Sequence, residues 1–416
     1  MPGLGFPSRP AVFDVHWIFA LIWLIGGAVL EWQQHPKLRL KDIARLNWKL
    51  MRAHPAPFLA LGYGIWALLA AFFTPDPAVS LTGTLQEGDE GAFWTLLLSG
   101  IFVLAYIQSR SDSKTVGRMV GGLLFGATIL SLVGIIEVSA QRGIIYMIDS
   151  ASVPSATFPQ RGHLAGYLLF ACVAGVYVFA LEKQKQKIFL LLCLILIVLV
   201  IGLTQNRAVL IGFAAIFVLM ILIQREKPKI LMIIIALSLF YGAGYVAKDF
   251  VKSSSRSTVA DTISSELRLI YWKSAVGAIV HRPVFGWGAG GFYEVWADYL
   301  SKSELKKALL LEFGLNYQSH SGNLFSTKND SGKIRLFTIG IVRTHNQFLE
   351  VAVIRGIVGL IFYVFLLLFC FKNMRSPLTL AVIAYHAFLM LWYLPIEPLG
   401  ALWAVWGAAM SNQKTN

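Results

Sequence analysis

The stretch IFLLLCLILIVLVIGL, residues 188–203, decides the class of this protein. It is a nearly continuous aliphatic run, with a second at 230–239, and in lipid only a helix satisfies the backbone of such a run. Working outward, apolar segments near the ~20 residues needed to cross a bilayer recur along the chain. Expected spans lie near 12–30, 57–74, 92–109, 118–137, 164–181, 188–203, 207–224, 230–247, 346–371, 378–395 and 397–411. Hydrophobic residues make up 56% of the 416 positions and charged ones only 14%, which excludes an ordinary soluble domain. The ~10-residue alternating segments of an outer-membrane barrel do not appear. The expected fold is therefore an all-α integral membrane protein of 11–12 transmembrane helices. The first apolar segment has no removable signal pattern and reads as a retained span.

Short basic connections at 37–52, 110–118, 183–187, 225–229 and 372–375 contrast with 75–91, which carries acids. By the positive-inside rule the basic set is cytoplasmic. The net charge of +14 then follows from topology and attraction to anionic membrane lipid, with no nucleic-acid footprint. Residues 37–52 mix apolar and basic side chains, as an interfacial amphipathic helix does. Cys172, Cys193 and Cys370 lie inside apolar runs and read as core filler rather than disulfides or metal ligands.

This topology puts one long hydrophilic segment, 248–344, on the far side from the cytoplasm, between helices at 1–247 and a C-terminal helical part at 345–416. Within it, 264–278 and 295–311 pattern as amphipathic helices, and 318–333, rich in Ser, Gly and Asn, reads as a mobile loop. Between the two helices runs RPVFGWGAGGF, 282–292. It contains the letters of a dinucleotide fingerprint without the strand and βαβ context that fingerprint needs, so its glycines read as close packing or a chain reversal.

The candidate chemistry is polar. Thr344-His345-Asn346-Gln347-Phe348-Leu349-Glu350 opens an apolar run, and His345 is a candidate proton acceptor where a span meets water. Glu350 orients the imidazole only if the local turn brings it near. Arg161 and Arg207 each stand at a membrane edge on the same expected face, and Arg268 lies in the long segment with Tyr271 on its own helix face. A guanidinium binds phosphate through two parallel hydrogen bonds, which points to an anionic ligand. Arg142 and Arg282 read instead as headgroup-facing side chains. His163 is a candidate supporting residue beside Arg161, and His16 and His386 read as packed core groups. Metal coordination by His345 and Glu350 lacks a further ligand at suitable spacing. A transporter would place its polar groups at the bilayer midplane on repeated, broken helices; here they gather at one face.

Four ordered motifs, Arg161-Gly162-His163-Leu164-Ala165-Gly166, then Thr204-Gln205-Asn206-Arg207, then Arg268 with Pro283 to Gly288, then His345 to Glu350 followed by Gly356 and Gly359, resemble the O-antigen ligase and polymerase superfamily. That superfamily usually has Ser where Asn206 stands. The resemblance covers 158–368. It implies a bacterial inner-membrane glycosyltransferase with a large helical periplasmic loop, which takes glycans from undecaprenyl diphosphate and needs no nucleotide sugar, metal or other cofactor. It implies His345 as catalytic base, Arg161, Arg207 and Arg268 as donor diphosphate ligands, and His163, Tyr271, Asn346 and Glu350 in support. Within the superfamily the length and the single dominant loop are most like the ligase, whose acceptor is lipid A–core. Polymerases and protein O-oligosaccharyltransferases are the alternatives.

Overall fold

A computed structural model of the chain describes residues 54–83, 91–140, 154–156, 158, 160–181, 184–223, 239–246, 258–322, 324–328, 334–339, 343–373, 376–393 and 396–411, with scattered positions before 54. The expected span at 12–30, the amphipathic segment at 37–52 and much of 230–247 lie largely outside the described residues.

The described chain is mostly helical. Helices α1 Ala56–Ala71, α3 Ala92–Ser111, α4 Ser113–Ala140, α5 Arg161–Leu181, α6 Gln184–Leu203 and α7 Ala208–Ile223 follow the expected apolar runs closely, and a short helix, α2 Pro77–Thr82, lies in the connection expected at 75–91. After the long hydrophilic segment come α11 Gln347–Leu368, α12 Pro377–Leu389 and α13 Ile396–Ser411. Among the described residues, three helices, at 92–111, 114–140 and 347–372, are long and apolar enough to cross a membrane, and shorter apolar helices occupy 56–71, 161–176, 187–203 and 378–389. The outward face of α4 is itself apolar, with Phe125, Ile129, Leu132 and Ile136 exposed, as a lipid-facing helix requires. Inside, α3 packs between α1 and α13, and α12 packs on α5 and α7. Helix contacts are close where side chains are absent: a Cβ on Gly407 would overlap the Phe102 carbonyl oxygen across the α3–α13 contact.

The segment between α7 and α11 builds a separate apolar cluster. Helix α8 Thr258–His281 leads to α9 Gly291–Val295, α10 Lys302–Phe313 and an antiparallel sheet β1 Asn316–Ser321, β2 Leu324–Lys328, β3 Ile334–Thr338 in the order β1-β2-β3. Tyr271, Trp296, Leu309, Tyr317 and Phe325 are buried together there, against Val353 of α11.

Three expectations are corrected here. The helix expected at 295–311 is interrupted, because the Ser301 side chain accepts from Glu304 N while Glu304 accepts from Ser301 N, a capping box that starts α10 afresh. The stretch expected as a mobile loop at 318–333 carries most of β1 and all of β2, so the fold is not all-α. Its polar strands are held by pairing, Tyr317↔Thr327 and Ser326↔Leu336 among others, and by burial of Tyr317 and Phe325, one apolar anchor per strand being too sparse to show as a hydrophobic run. Finally, the span expected as one helix at 346–371 is broken at Gly356, whose φ of 69° and ψ of 179° lie far from helical values.

Candidate active site

Among the described residues only Ala156, Gln205 and His345 combine a side chain with positive φ, at 51°, 50° and 55°. Left-handed backbone costs a non-glycine residue energy that surrounding structure must supply, and such residues concentrate at functional sites. Each lies in one of the loops carrying the sequence motifs, and each loop has an identifiable support.

The loop before Arg161 is held by Glu137, buried near the end of α4, whose Oε2 accepts Ser155 N at 3.0 Å and Ala156 N at 2.8 Å. In the turn between α6 and α7, Asn206 Oδ1 accepts Ala208 N at 2.9 Å, so this residue caps α7 as a serine also would. Arg161 Nη1 donates to Thr204 O at 3.4 Å, tying the two loops together. In the third loop Asn346 Oδ1 accepts Phe348 N and Leu349 N at 3.0 and 3.2 Å, capping α11, and Asn346 Nδ2 donates to Met390 O at 2.9 Å.

That last bond sets the end of α12 beside His345, and the next residues form the centre of the site. The His345 ring lies 5.8 Å from Trp392 and 5.4 Å from Tyr393, edge to face with both, and 6.2 Å from Tyr271 in a stacked arrangement. His163 meets the same two rings at 6.0 and 5.0 Å. The Arg268 guanidinium stands over Trp392 and that of Arg343 over Tyr393, each 5.3 Å from the ring centre. A Cβ on Gly162 would overlap the Trp392 indole and lie 2.7 Å from Asn206 Nδ2, so the first two motifs close on the same corner. Arg161, His163, Arg268, Tyr271 and His345 are thus gathered. Arg207 is not among them: it is exposed at the end of its turn, near Tyr241.

The electrostatics are those of a cationic pocket. No hydrogen bond or ion pair among the described residues engages Arg268, and burial lowers its pKa. His345 is partly buried, with Nδ1 enclosed and without a hydrogen-bond partner. Burial, then the charges of Arg268 and Arg343, push its pKa down to about 4. The near-neutral value that a histidine at such a site would ordinarily have is therefore not what the fold provides. Tyr271 is held in its protonated form by burial and by the neighbouring Glu312. Glu350 does not reach the imidazole: Oε2 accepts Thr344 N at 2.7 Å and Oε1 lies 3.7 Å from Arg343 Nη1. Both partners of that ion pair line a cavity of about 40 Å³ with Gln347, Arg355, Tyr63 and Thr95. There is room in it for a few waters to serve Glu350 Oε1.

Arg343, Trp392, Tyr393 and Glu137 are the residues that sequence reading passes over. Arg343 precedes the histidine by only two positions, and its charge was a usable signal. Trp392-Tyr393 at the end of an apolar run reads as an interfacial aromatic belt, and nothing local distinguishes it.

Residues 190–364 match the family described as O-Antigen ligase. That span holds Arg207, Arg268, Tyr271, Arg343, His345 and Glu350, while Arg161, His163 and the Trp392–Tyr393 corner lie outside it. No curated protein and no solved structure matches the chain.

Proposed function

We propose that this chain, which carries an O-antigen ligase domain at 190–364, transfers O-antigen glycan from undecaprenyl diphosphate to lipid A–core on the periplasmic face of the bacterial inner membrane. The family indicates a membrane enzyme of the ligase and polymerase type; the donor, the acceptor and the side of the membrane are our reading. One observation carries it. A partly buried imidazole shares two aromatic rings with the guanidinium groups of Arg268 and Arg343, at the junction of three strained loops.

In this scheme the diphosphate of the donor binds to Arg161 and Arg268, with Arg343 beside them; Arg207, exposed outside that cluster, is not one of its ligands. Preorganised cations act most strongly where charge develops, and here it develops on the diphosphate oxygen as the bond to the sugar breaks. His345 is neutral at pH 7, its Nδ1 is enclosed, and Nε2 is the nitrogen that meets the acceptor. The acceptor hydroxyl passes its proton to Nε2 while its oxygen bonds to the anomeric carbon. The carbon–oxygen bond to the diphosphate breaks in the same step, the electron pair leaves with the lipid diphosphate, and the configuration inverts. Burial, and after it the charges of Arg268 and Arg343, make the free imidazole a weak base; the bound diphosphate offsets the share due to the two cations, so basicity rises when the donor arrives. His163 and Tyr271 hold the corner, Asn346 fixes the backbone of the base, and Glu350 sets Arg343.

The test is transfer by purified protein in EDTA with undecaprenyl-diphosphate-linked glycan and lipid A–core, beside His345→Ala and Arg268→Ala. A lipopolysaccharide ladder from the parent and neither variant is expected. Longer donor chains, or glycosylated peptide when peptide is offered, with no ladder, would assign the same chemistry to a polymerase or to a protein O-oligosaccharyltransferase.

A further inference from the structure

The break in α11 is not an open end. Ordinarily Val353 O would accept from Ile357 N and Ile354 O from residue 358, and both bonds are lost where Gly356 turns the chain. The glycine-rich loop after α8 replaces them. Trp287 N donates to Val353 O at 2.7 Å, Gly288 N to Ile354 O at 3.1 Å, and Ile357 N donates back to Pro283 O at 2.7 Å. Trp66 Nε1 of α1 takes the next carbonyl, Arg355 O, at 2.9 Å. The loop therefore fills the gap in the helix with its own backbone.

Only glycine fits the joint. Gly286, Gly288 and Gly356 have φ of 73°, 83° and 69°, in the left-handed region. A Cβ on Gly356 would overlap Val284 O, and one on Gly286 would lie 2.5 Å from Val353 O, both backbone atoms that cannot step aside. The loop is also pinned to the end of α1: Phe285 stacks on Phe73 at 4.3 Å and on Trp66 at 5.5 Å, and Arg282 Nη2 donates to Phe73 O at 2.7 Å.

From this joint two arms run back to the active site. The first half of α11 leads to His345, about 15 Å away along the helix, and α8 leads to Tyr271 and Arg268, about 15–20 Å away. They meet again where Tyr271 stacks on His345. We infer that the splice of the Pro283–Gly288 loop into the break at Gly356 is a positioning element, which fixes the placement of Arg268 and Tyr271 relative to His345 without touching substrate. A rotation of 10° at the joint would displace the far end of a ~20 Å arm by ~3 Å, and displacements of ~1 Å at reacting groups are enough to cost ~10²-fold in rate. The splice stands on geometry alone; only its consequence for turnover rests on the proposed transfer reaction.

The histidine reports the joint because of what faces it: Arg268 and Tyr271 from α8, with Glu312 of α10 behind Tyr271, Arg343 from its own segment, and Tyr393 and His163 from the α12 and α5 sides. Two variants probe it. Gly356→Ala forces the overlap with Val284 O. Ile357→Pro removes one splice hydrogen bond while suiting the start of the second half-helix, since proline is accepted at a first helical position, the ψ of 179° at Gly356 suits a residue before proline, and Ile357 is 43% exposed.

The measurement is histidine titration by NMR on the full-length protein in detergent, with His345 assigned by its loss in His345→Asn and His320 of the sheet as internal reference. The positioning role expects His345 to move up by one unit or more in Ile357→Pro, with His320 unchanged. In the transfer assay kcat would fall at least tenfold with little change in KM. A folded Ile357→Pro protein in which His345 titrates as in the parent would overturn it. So would shifts at both His345 and His320 in both variants, because the splice would then be supporting the whole fold. Because the titration needs no turnover, it separates failure of this inference from failure of the proposed reaction.

Discussion

The Arg268 guanidinium lies 5.3 Å above the ring of Trp392, held by an aromatic face rather than by a carboxylate. A ring attracts a cation without neutralising it, so the charge and all five N–H donors remain available to an anionic ligand. Arg343 is held differently, over Tyr393 on one side and beside Glu350 on the other.

Arg268→Ala should lower kcat by ~10²–10³-fold, the usual loss for one preorganised electrostatic donor. Arg268→Lys should recover little, because an ammonium neither spans two phosphate oxygens nor lies flat on an indole. The melting temperature should hardly change in either, since a cation over an accessible ring contributes only ~0.5–1 kcal/mol. Single-turnover transfer and thermal unfolding in detergent measure the two parts separately.

At position 345 chemistry and backbone can be told apart. His345→Asn should cost ~10²–10⁴-fold in transfer while the protein remains as stable as the parent, because Asn tolerates the φ of 55°. His345→Val should lose activity and also destabilise, a β-branched side chain being poorly suited to left-handed backbone. Equal stability of the two variants would argue against strain at this residue.

Acidity should act on binding, stability and rate in a defined order. The folded pKa of about 4 lies below the ordinary 6.5, so the unfolded chain binds a proton first as pH falls. The contribution of His345 to stability is therefore complete above about pH 6.5 and is lost as pH drops towards 4. For the rate, the acidic limb of kcat/KM reports the free enzyme and should lie low. The limb of kcat reports the donor complex, where the diphosphate offsets Arg268 and Arg343, and should lie at higher pH. Coincident limbs would show that the donor's charge does not reach the imidazole.

Glu137→Leu should leave the Ser155 and Ala156 N–H groups buried without an acceptor, costing ~1–3 kcal/mol for each. Glu137→Gln retains a carbonyl oxygen and should cost much less. Donor KM should rise in the leucine variant, since the loop it frees leads directly to Arg161.

The sequence by itself determined the class of protein, the positions of most helices and the place of the polar cluster that opens α11. Each of these depends on local information. An aliphatic run such as 188–203 has one low-energy backbone in lipid, and a polar cluster opening an apolar helix is visible as His345 to Glu350. The capping box of Ser301 and Glu304 that starts α10 is likewise local, four residues long. The rest was decided by tertiary structure. Trp392 and Tyr393 became the centre of the site because Asn346 bonds to Met390 across 44 positions. The sheet formed because pairing and two buried rings outweigh polar strands that carry no hydrophobic run. His345 became a weak base because burial and two cations converge on it from different elements. The kink at Gly356 is stable only because a loop some 70 positions upstream supplies the hydrogen bonds the helix gives up. Burial, charge and backbone pairing at such separations depend on which elements meet, and no local stretch of sequence specifies that.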